Sequence, residues 1–309
     1  MENKLHISVS PHIRAKRTTR SIMLDVIIAL LPATIAGVVI FGLKSLAVIG
    51  VCVASAVLSE VLFNLAVKKE QTIGDLSSII TGLILALNLP ANVPLWQAAI
   101  SSVFAIVVVK CLFGGLGKNL VNPAATARVF MLIAFGSLAT SAMPEDVDAA
   151  SSATPLSSIA NGEVPELMDL LLGNTGGSIG ETCKVAILIG GIYLIARKVI
   201  TWHIPVAFIG SVFLLSFIIE DFNALTALAW VLSGGLVFGA VFMATDYTTS
   251  PRTALGKIVF GIGAGIITVV IRFWGAYPEG VSFAILLMNI VNPLICSLGS
   301  RKLFGGAKK

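Results

Sequence analysis

The sequence predicts an all-α integral membrane protein of about ten transmembrane helices, arranged as two inverted five-helix repeats with broken helices at spans three and eight. Three observations carry this reading: composition, the spacing of long apolar stretches, and a one-sided distribution of positive charge. Of 309 residues, 56% are hydrophobic and only 12% charged, against about 25% charged in soluble domains. The mean hydropathy is +0.96. That balance excludes a soluble globular protein, a disordered tail and a nucleic-acid binder together.

Residues 1–20 hold Lys4, Arg14, Lys16, Arg17 and Arg20 and no apolar core. The apolar run that follows is long enough to span and lacks a small-residue cleavage site before Lys44, so it reads as a first transmembrane helix rather than a signal peptide. Apolar stretches then predict spans at 22–42, 45–66, 77–90, 96–114, 124–140, 182–200, 202–219, 225–245, 256–275 and 280–300. The third is short and runs into Leu89-Pro90-Ala91-Asn92-Val93-Pro94. Such a break survives at membrane depth only where protein or a wet cavity covers the freed backbone.

With ten spans, 17 of the 21 basic residues fall on one side, leaving Lys44, Lys184 and Arg272 opposite and Arg128 within a span. The positive-inside rule therefore puts both termini in the cytoplasm. The loop 141–181 lies outside; it has no Lys or Arg but carries Glu145, Asp146, Asp148, Glu163, Glu166, Asp169 and Glu181. Composition alone favours a solvated acidic linker there, with a short surface helix over 164–172. The organisation is then 1–140 as the first five-span repeat, 141–181 as the loop, and 182–309 as the second repeat. Cys52, Cys111, Cys183 and Cys296 form no C-x-x-C pair, which argues against a self-contained metal or iron–sulfur site and for free buried thiols.

The segment Asn119-Leu120-Val121-Asn122-Pro123, at the inside edge of span five, returns as Asn289-Ile290-Val291-Asn292-Pro293 within span ten, each at the last span of a five-span half. A duplicated unit with an odd number of spans must be inverted in its second copy, and inverted repeats with broken helices mark many transporter folds. Interrupted stretches occur in both halves, at 87–94 and at 245–251.

Acids in an apolar setting usually face a bundle interior or a water path. Glu60 follows fifteen uncharged residues, and Asp246 precedes the hydroxyl-rich Tyr247-Thr248-Thr249-Ser250-Pro251. Carboxylate, hydroxyl and carbonyl oxygens suit a small hard cation or a proton. The competing readings are a buried Arg128 pair for Glu60 and a helix-ending cap for Asp246. Asn119 and Asn122 lie three apart on one helical face. Their carboxamides suit the edge of a ring with alternating donors and acceptors, or equally the backbone freed by Pro123.

Two motifs together carry a family resemblance. Asp148-Ala149-Ala150-Ser151-Ser152-Ala153-Thr154 matches the flavinylation pattern D-x-x-[ST]-x-[AS]-T, and it is flanked by Gly-Lys-Asn-Leu-Val-Asn-Pro-Ala at 117–124 and Phe-Met-Ala-Thr-Asp-Tyr-Thr-Thr-Ser-Pro at 242–251. Over nearly the whole chain the sequence resembles RnfD, a membrane component of the Rnf electron-transport complex. It resembles more distantly the B component of the sodium-pumping NADH:quinone oxidoreductase. The resemblance implies FMN joined to Thr154 as a phosphoester, with Asp148, Ser151 and Ala153 as motif positions read by a flavin transferase that works outside the cytoplasm. It implies a non-covalent riboflavin near Asn119 and Asn122, and cation passage at Glu60 and Asp246. Ser152 stands where glycine is frequent. The implied activity is that of a membrane component of an ion-translocating ferredoxin:NAD oxidoreductase, moving Na+ or H+, without catalytic residues of its own. It would work in the cytoplasmic membrane of a prokaryote, with the other Rnf components RnfA, RnfB, RnfC, RnfE and RnfG as partners. A solute channel or secondary transporter, suggested by the inverted repeats, and a purely structural anchor are the alternatives.

Overall fold

The computed structural model describes residues 17–136, 154–275 and 279–298. Among them it is helical, with twelve α-helices and no β-strand. The chain is a multi-pass membrane protein: two helices have the length and apolarity to cross a bilayer, a bent pair taken as one span adds a third, and shorter apolar helices surround them. Its apolar side chains face outward as well as inward; Val39, Leu43 and Leu255 are 78%, 79% and 74% exposed. A helix that is apolar on every side suits lipid.

Helix α1, Thr19–Ala66, has 48 residues. Straight, it would reach about 72 Å at 1.5 Å per residue, more than twice the ~30 Å hydrocarbon core. Gly42 divides it, at φ 67° and ψ −161°, a conformation that costs glycine little. The Ser45 hydroxyl donates to the Gly42 carbonyl at 2.6 Å. The division falls on the last residue of the predicted span 22–42, just ahead of the span 45–66.

Helix α2, Ser77–Leu87, starts where the Asp75 carboxylate accepts from the Ser77 N–H at 2.8 Å. It stops before the Pro90 and Pro94 pair, and residues 88–94 are non-helical. α3, Leu95–Phe104, resumes and widens into a π-helical turn over Ala105–Cys111. The Ser102 hydroxyl donates to the Cys52 carbonyl at 2.7 Å, which ties this helix to α1. α4, Pro123–Phe135, opens with Asn122 as N-cap and Pro123 in its first turn, the pairing that helix starts favour.

The described part of the acidic loop is not a solvated linker. It forms α5, Pro155–Ala160, and α6, Leu167–Leu172, and their Leu156, Ile159 and Leu170 pack with Ala229 and Trp230 of α9, Ala224–Leu232. The two short apolar stripes outweigh the surrounding acids because they have a helix to cover. Asp148, Ser151 and Ala153, like both termini, lie outside the described residues.

In the second half, α7, Lys184–Ala196, docks on α1. Tyr193 and Arg197 both reach the buried Asp25, at 3.0 and 3.2 Å. α8, His203–Ile219, packs on α11, Ala254–Trp274, through Gly261, whose missing Cβ would lie 2.7 Å from that of Ala207. Span eight is broken, but at 233–235 rather than near Thr249. α9 meets α10, Leu236–Phe238, and its π continuation Gly239–Met243 at a 65° bend. Gly234, at φ 65°, supplies the turn. The hydroxyl-rich stretch 245–251 connects this π turn to α11 instead. α12, Val281–Leu298, ends the described chain with Pro293 inside it.

The α1–α7 contact yields a test. A Cβ on Gly190 would overlap the Ala29 carbonyl, whereas one on Gly210 meets nothing within 4 Å. Gly190→Leu is expected to cost roughly 1–3 kcal/mol or more through overpacking and to lower the melting temperature in detergent, with Gly210→Ala close to neutral.

Candidate functional site

A cavity of about 790 Å³, counting the open space at its mouth, lies among α1, α2, α4, α7 and the stretch around Asp246. Its polar lining includes Lys110, Asn119, Asn122, Asp246 and Thr248, set among Ile80, Ile84, Leu194, Val241 and Phe242. Three of the residues singled out from sequence, Asn119, Asn122 and Asp246, therefore meet in one place.

They do not play one role. Asp246 follows the π turn and holds its own chain: its Oδ2 accepts from the Thr248 and Thr249 hydroxyls at 2.9 and 3.2 Å. No salt bridge to it occurs among the described residues. Asn119 donates weakly to the Thr248 hydroxyl at 3.5 Å, and its Oδ1 is buried without a partner. Asn122 is fully committed. Its Oδ1 caps α4 by accepting from the Ala124 and Ala125 N–H groups at 3.0 and 3.2 Å, and its Nδ2 donates to the Met243 carbonyl at 3.1 Å. The structural reading of the asparagine pair thus holds for Asn122, while Asn119 keeps an acceptor for something else.

The repeated motif closes on itself here. Asn289 is buried. With its amide oriented to satisfy its neighbours, its oxygen accepts from the Asn122 N–H at 3.0 Å and its nitrogen donates to the Thr249 carbonyl at 3.1 Å.

Glu60 is 2% exposed, and its partner is Lys110, not Arg128. Lys110 projects from the π turn after α3 and reaches Glu60 Oε1 at 2.9 Å and the Ser77 hydroxyl at 2.6 Å. Thr72 donates to the same Glu60 oxygen at 2.7 Å. Glu60 Oε2 and the Ser78 hydroxyl are buried without a hydrogen bond of regular geometry, the hydroxyl lying beside the carboxylate. Glu60 does not itself line the cavity, but Lys110 does.

Arg128 is the hub of a second network. It donates to Asn88 Oδ1 in the first break at 2.8 Å, pairs with Glu279, and lies 3.6 Å from Glu181. Glu279 in turn accepts from the Gly235 N–H at 2.8 Å in the second break. Lys184 donates to the Gly234 carbonyl at 2.9 Å, and Arg272 to the Trp230 and Ser233 carbonyls at 2.6 and 3.1 Å.

Thr154 borders neither network. It is the half-buried N-cap of α5, where its Oγ1 accepts from the Ser157 N–H at 3.2 Å. An ester oxygen at that position keeps the lone pairs that accept this bond, so a phosphoester and the cap are chemically compatible.

A family profile described as "NQR2, RnfD, RnfE family" matches residues 6–305. The chain belongs to that family. It is 44% identical to the D subunit of the Na+-translocating ferredoxin:NAD+ oxidoreductase complex of Acetobacterium woodii, with 99% of this chain and 97% of that protein covered. It is 39% identical to the D subunit of the proton-translocating ferredoxin:NAD+ oxidoreductase complex of Clostridium ljungdahlii, covering 95% and 94%. Identity to the D subunit of the ion-translocating oxidoreductase complex of Pectobacterium atrosepticum is 35%, over 94% and 95%.

For a member of the NQR2, RnfD, RnfE family, the sequence hides two features. Lys110 reads as one more inside cation, because its partner Glu60 lies fifty positions away on another helix. Glu181 reads as a loop acid and Glu279 falls between two predicted spans, yet both are drawn to Arg128. The intramembrane Arg128 is itself the available signal, since such a charge requires partners.

Removing one partner of a buried pair strands the other, at a cost of roughly 3–5 kcal/mol. Arg128→Ala, which strands Glu181 and Glu279, is expected to abolish a monodisperse detergent-solubilised protein. Size-exclusion chromatography of the purified variant checks this.

Proposed function

We propose that this chain is the RnfD-type membrane component of an ion-translocating ferredoxin:NAD+ oxidoreductase, carrying FMN on Thr154 and lining part of the ion route with Asp246 and Glu60. The observation that supports it most is near-full-length kinship with proteins so named, joined to a cavity whose carboxylate, Asp246, has no cationic partner among the described residues. Its partners are then the remaining Rnf components and a flavin transferase, in the cytoplasmic membrane. A flavin supplies one- and two-electron exchange when bound. The chain's own part is to hold it. Thr154 offers an anchored hydroxyl on a segment packed against α9, and Asn119 offers an unpartnered buried oxygen able to accept a ring N–H of a non-covalent riboflavin.

Relatives are named for Na+ and for H+, and the groups around Asp246 are suited to either. A carboxylate with two hydroxyls is a hard-oxygen set for a small cation and a proton acceptor alike. We further propose the finer arrangement of ten spans in two inverted halves. It is supported by a broken helix followed by a π turn in each half and by the contact between the two Asn-Pro motifs. Reporter fusions at 70, 118 and 302 are expected in the cytoplasm, and at 155 and 221 outside. A cytoplasmic reporter at 155 would defeat both the span count and the flavin assignment.

Thr154→Ala is expected to remove all covalent flavin fluorescence from the denatured chain in a gel, with the transferase co-expressed, and Thr154→Ser to retain part of it. Loss of the N-cap adds a cost of about 1 kcal/mol, too small to prevent assembly. A fluorescent alanine variant would move the attachment elsewhere. A solute transporter or passive anchor would show no flavin even unaltered.

Asp246→Asn keeps the cavity's shape and removes its charge. Donor-driven ion uptake into vesicles is expected to fall by roughly tenfold or more, the step that ~1.4 kcal/mol represents, with covalent flavin unchanged.

A further inference from the structure

Lys110 is the one basic side chain on the lining of the central cavity among the described residues. Its ammonium is shared between Ser77, which is also on that lining, and Glu60, which is not. The groups that receive the ammonium are hard oxygens: Glu60 Oε1 at 2.9 Å and the Ser77 hydroxyl at 2.6 Å, with the Thr72 hydroxyl also on Glu60 Oε1 at 2.7 Å. Glu60 Oε2 and Ser78 Oγ are buried there too, without a hydrogen bond of regular geometry, the Ser78 hydroxyl lying beside the Glu60 carboxylate. The carboxylate is thus ringed by the Thr72 and Ser78 hydroxyls as well as by the ammonium. A carboxylate with several hydroxyls around one positive charge is also the donor set of a monovalent cation stripped of water.

We propose that Lys110 is a tethered cation filling a monovalent-cation seat at Glu60, and that it gates exchange between this seat and the Asp246 cavity. This deepens, and rests on, the reading of the chain as part of the ion route. While the ammonium is seated, a second cation a few ångström away is repelled, and the low-dielectric surroundings strengthen that repulsion. The route is shut to passive flow. A cation waiting at Asp246 reaches Glu60 only when the Lys110 ammonium withdraws from the carboxylate. The π turn suits that movement, since such turns interrupt regular helix bonding and recur at functional sites. The Lys110 carbonyl is held by the Gly115 N–H at 3.0 Å, which anchors the backbone from which the long side chain extends.

The test uses membrane vesicles containing the whole complex, without electron donor, under an imposed diffusion potential. Passive influx is read with radioactive Na+, with a pH-sensitive dye for H+, and with labelled choline. Lys110→Met is expected to raise Na+ or H+ influx roughly tenfold or more, the ammonium's repulsion being the barrier removed, and to leave choline excluded. Ser77→Ala, which loosens the ammonium without changing charge, should raise it less. Glu60→Gln combined with Lys110→Met should fall back toward the unaltered level, because no carboxylate then draws the ion in. Wild-type influx in assembled Lys110→Met and Ser77→Ala complexes overturns the gate, as does a leak that admits choline. If Lys110→Met fails to assemble, Ser77→Ala decides alone. Asp246→Asn separates the two levels: unchanged donor-driven uptake in that variant sinks the ion-route reading itself, whereas reduced uptake alongside a tight Lys110→Met sinks the gate only.

Discussion

A backbone interrupted among apolar helices must find its hydrogen bonds inside the protein, since lipid offers none. Two interruptions, at 88–94 and 233–235, impose that demand here, and much of the architecture answers it. The Leu87 and Leu89 carbonyls accept from the Gly180 and Ile179 N–H groups at 2.8 and 3.0 Å. The chain leaving the acidic loop is therefore threaded into the first break before α7 begins. At the second break the donors are charged: Lys184 and Arg272 serve the Gly234, Trp230 and Ser233 carbonyls, and Glu279 takes the Gly235 N–H. Arg128 touches both breaks, through Asn88 and through Glu279. A charge buried for this purpose is costly unless paired, which is why three cations and two carboxylates occur together.

The same demand shapes the cavity. Those five charges are consumed by backbone and by one another, so few remain elsewhere in the helical interior. Glu60 and Lys110 form one pair, and Asp25 with Arg197 another. Asp246 is left without a cation among the described residues. The two π turns stand beside this interior, one delivering Lys110 and the other the Met243 carbonyl that receives Asn122.

Much of this is legible in sequence, where a rule acts locally. Composition and basic-residue counting specify a membrane protein because bilayer insertion penalises charge residue by residue. The first break is announced by Pro90 and Pro94, and the α4 start by Asn122-Pro123, both set by proline's own geometry. Sequence misplaces the second break because Ser233-Gly234-Gly235 sits inside an apolar run, while the polar stretch near Thr249 looks more like an interruption. The acid–cation pairings are not legible. Glu60 and Lys110 are joined only by the packing of α2 and α3 on α1, and charge counting treats Lys110 as an ordinary inside residue. Nor can composition reveal that the acidic loop packs, because Leu156, Ile159 and Leu170 decide it by meeting Ala229 and Trp230 of α9.

Why an unpaired carboxylate persists at Asp246 follows from these constraints. A carboxylate in a dry apolar interior would be expensive, and the protein shows at Arg128 that it can pair one when stability requires it. At Asp246 it instead supplies two hydroxyls from the next turn of chain and a place on the cavity lining. Hydroxyl donors can turn away when a cation arrives; a guanidinium cannot be displaced without stranding its own charge. Pairing Asp246 permanently would satisfy it and close it to exchange. The contrast with Glu60 is one of partners: Glu60 holds the Lys110 ammonium, whereas Asp246 holds only dipoles. A carboxylate held by dipoles strands no charge when those dipoles turn away.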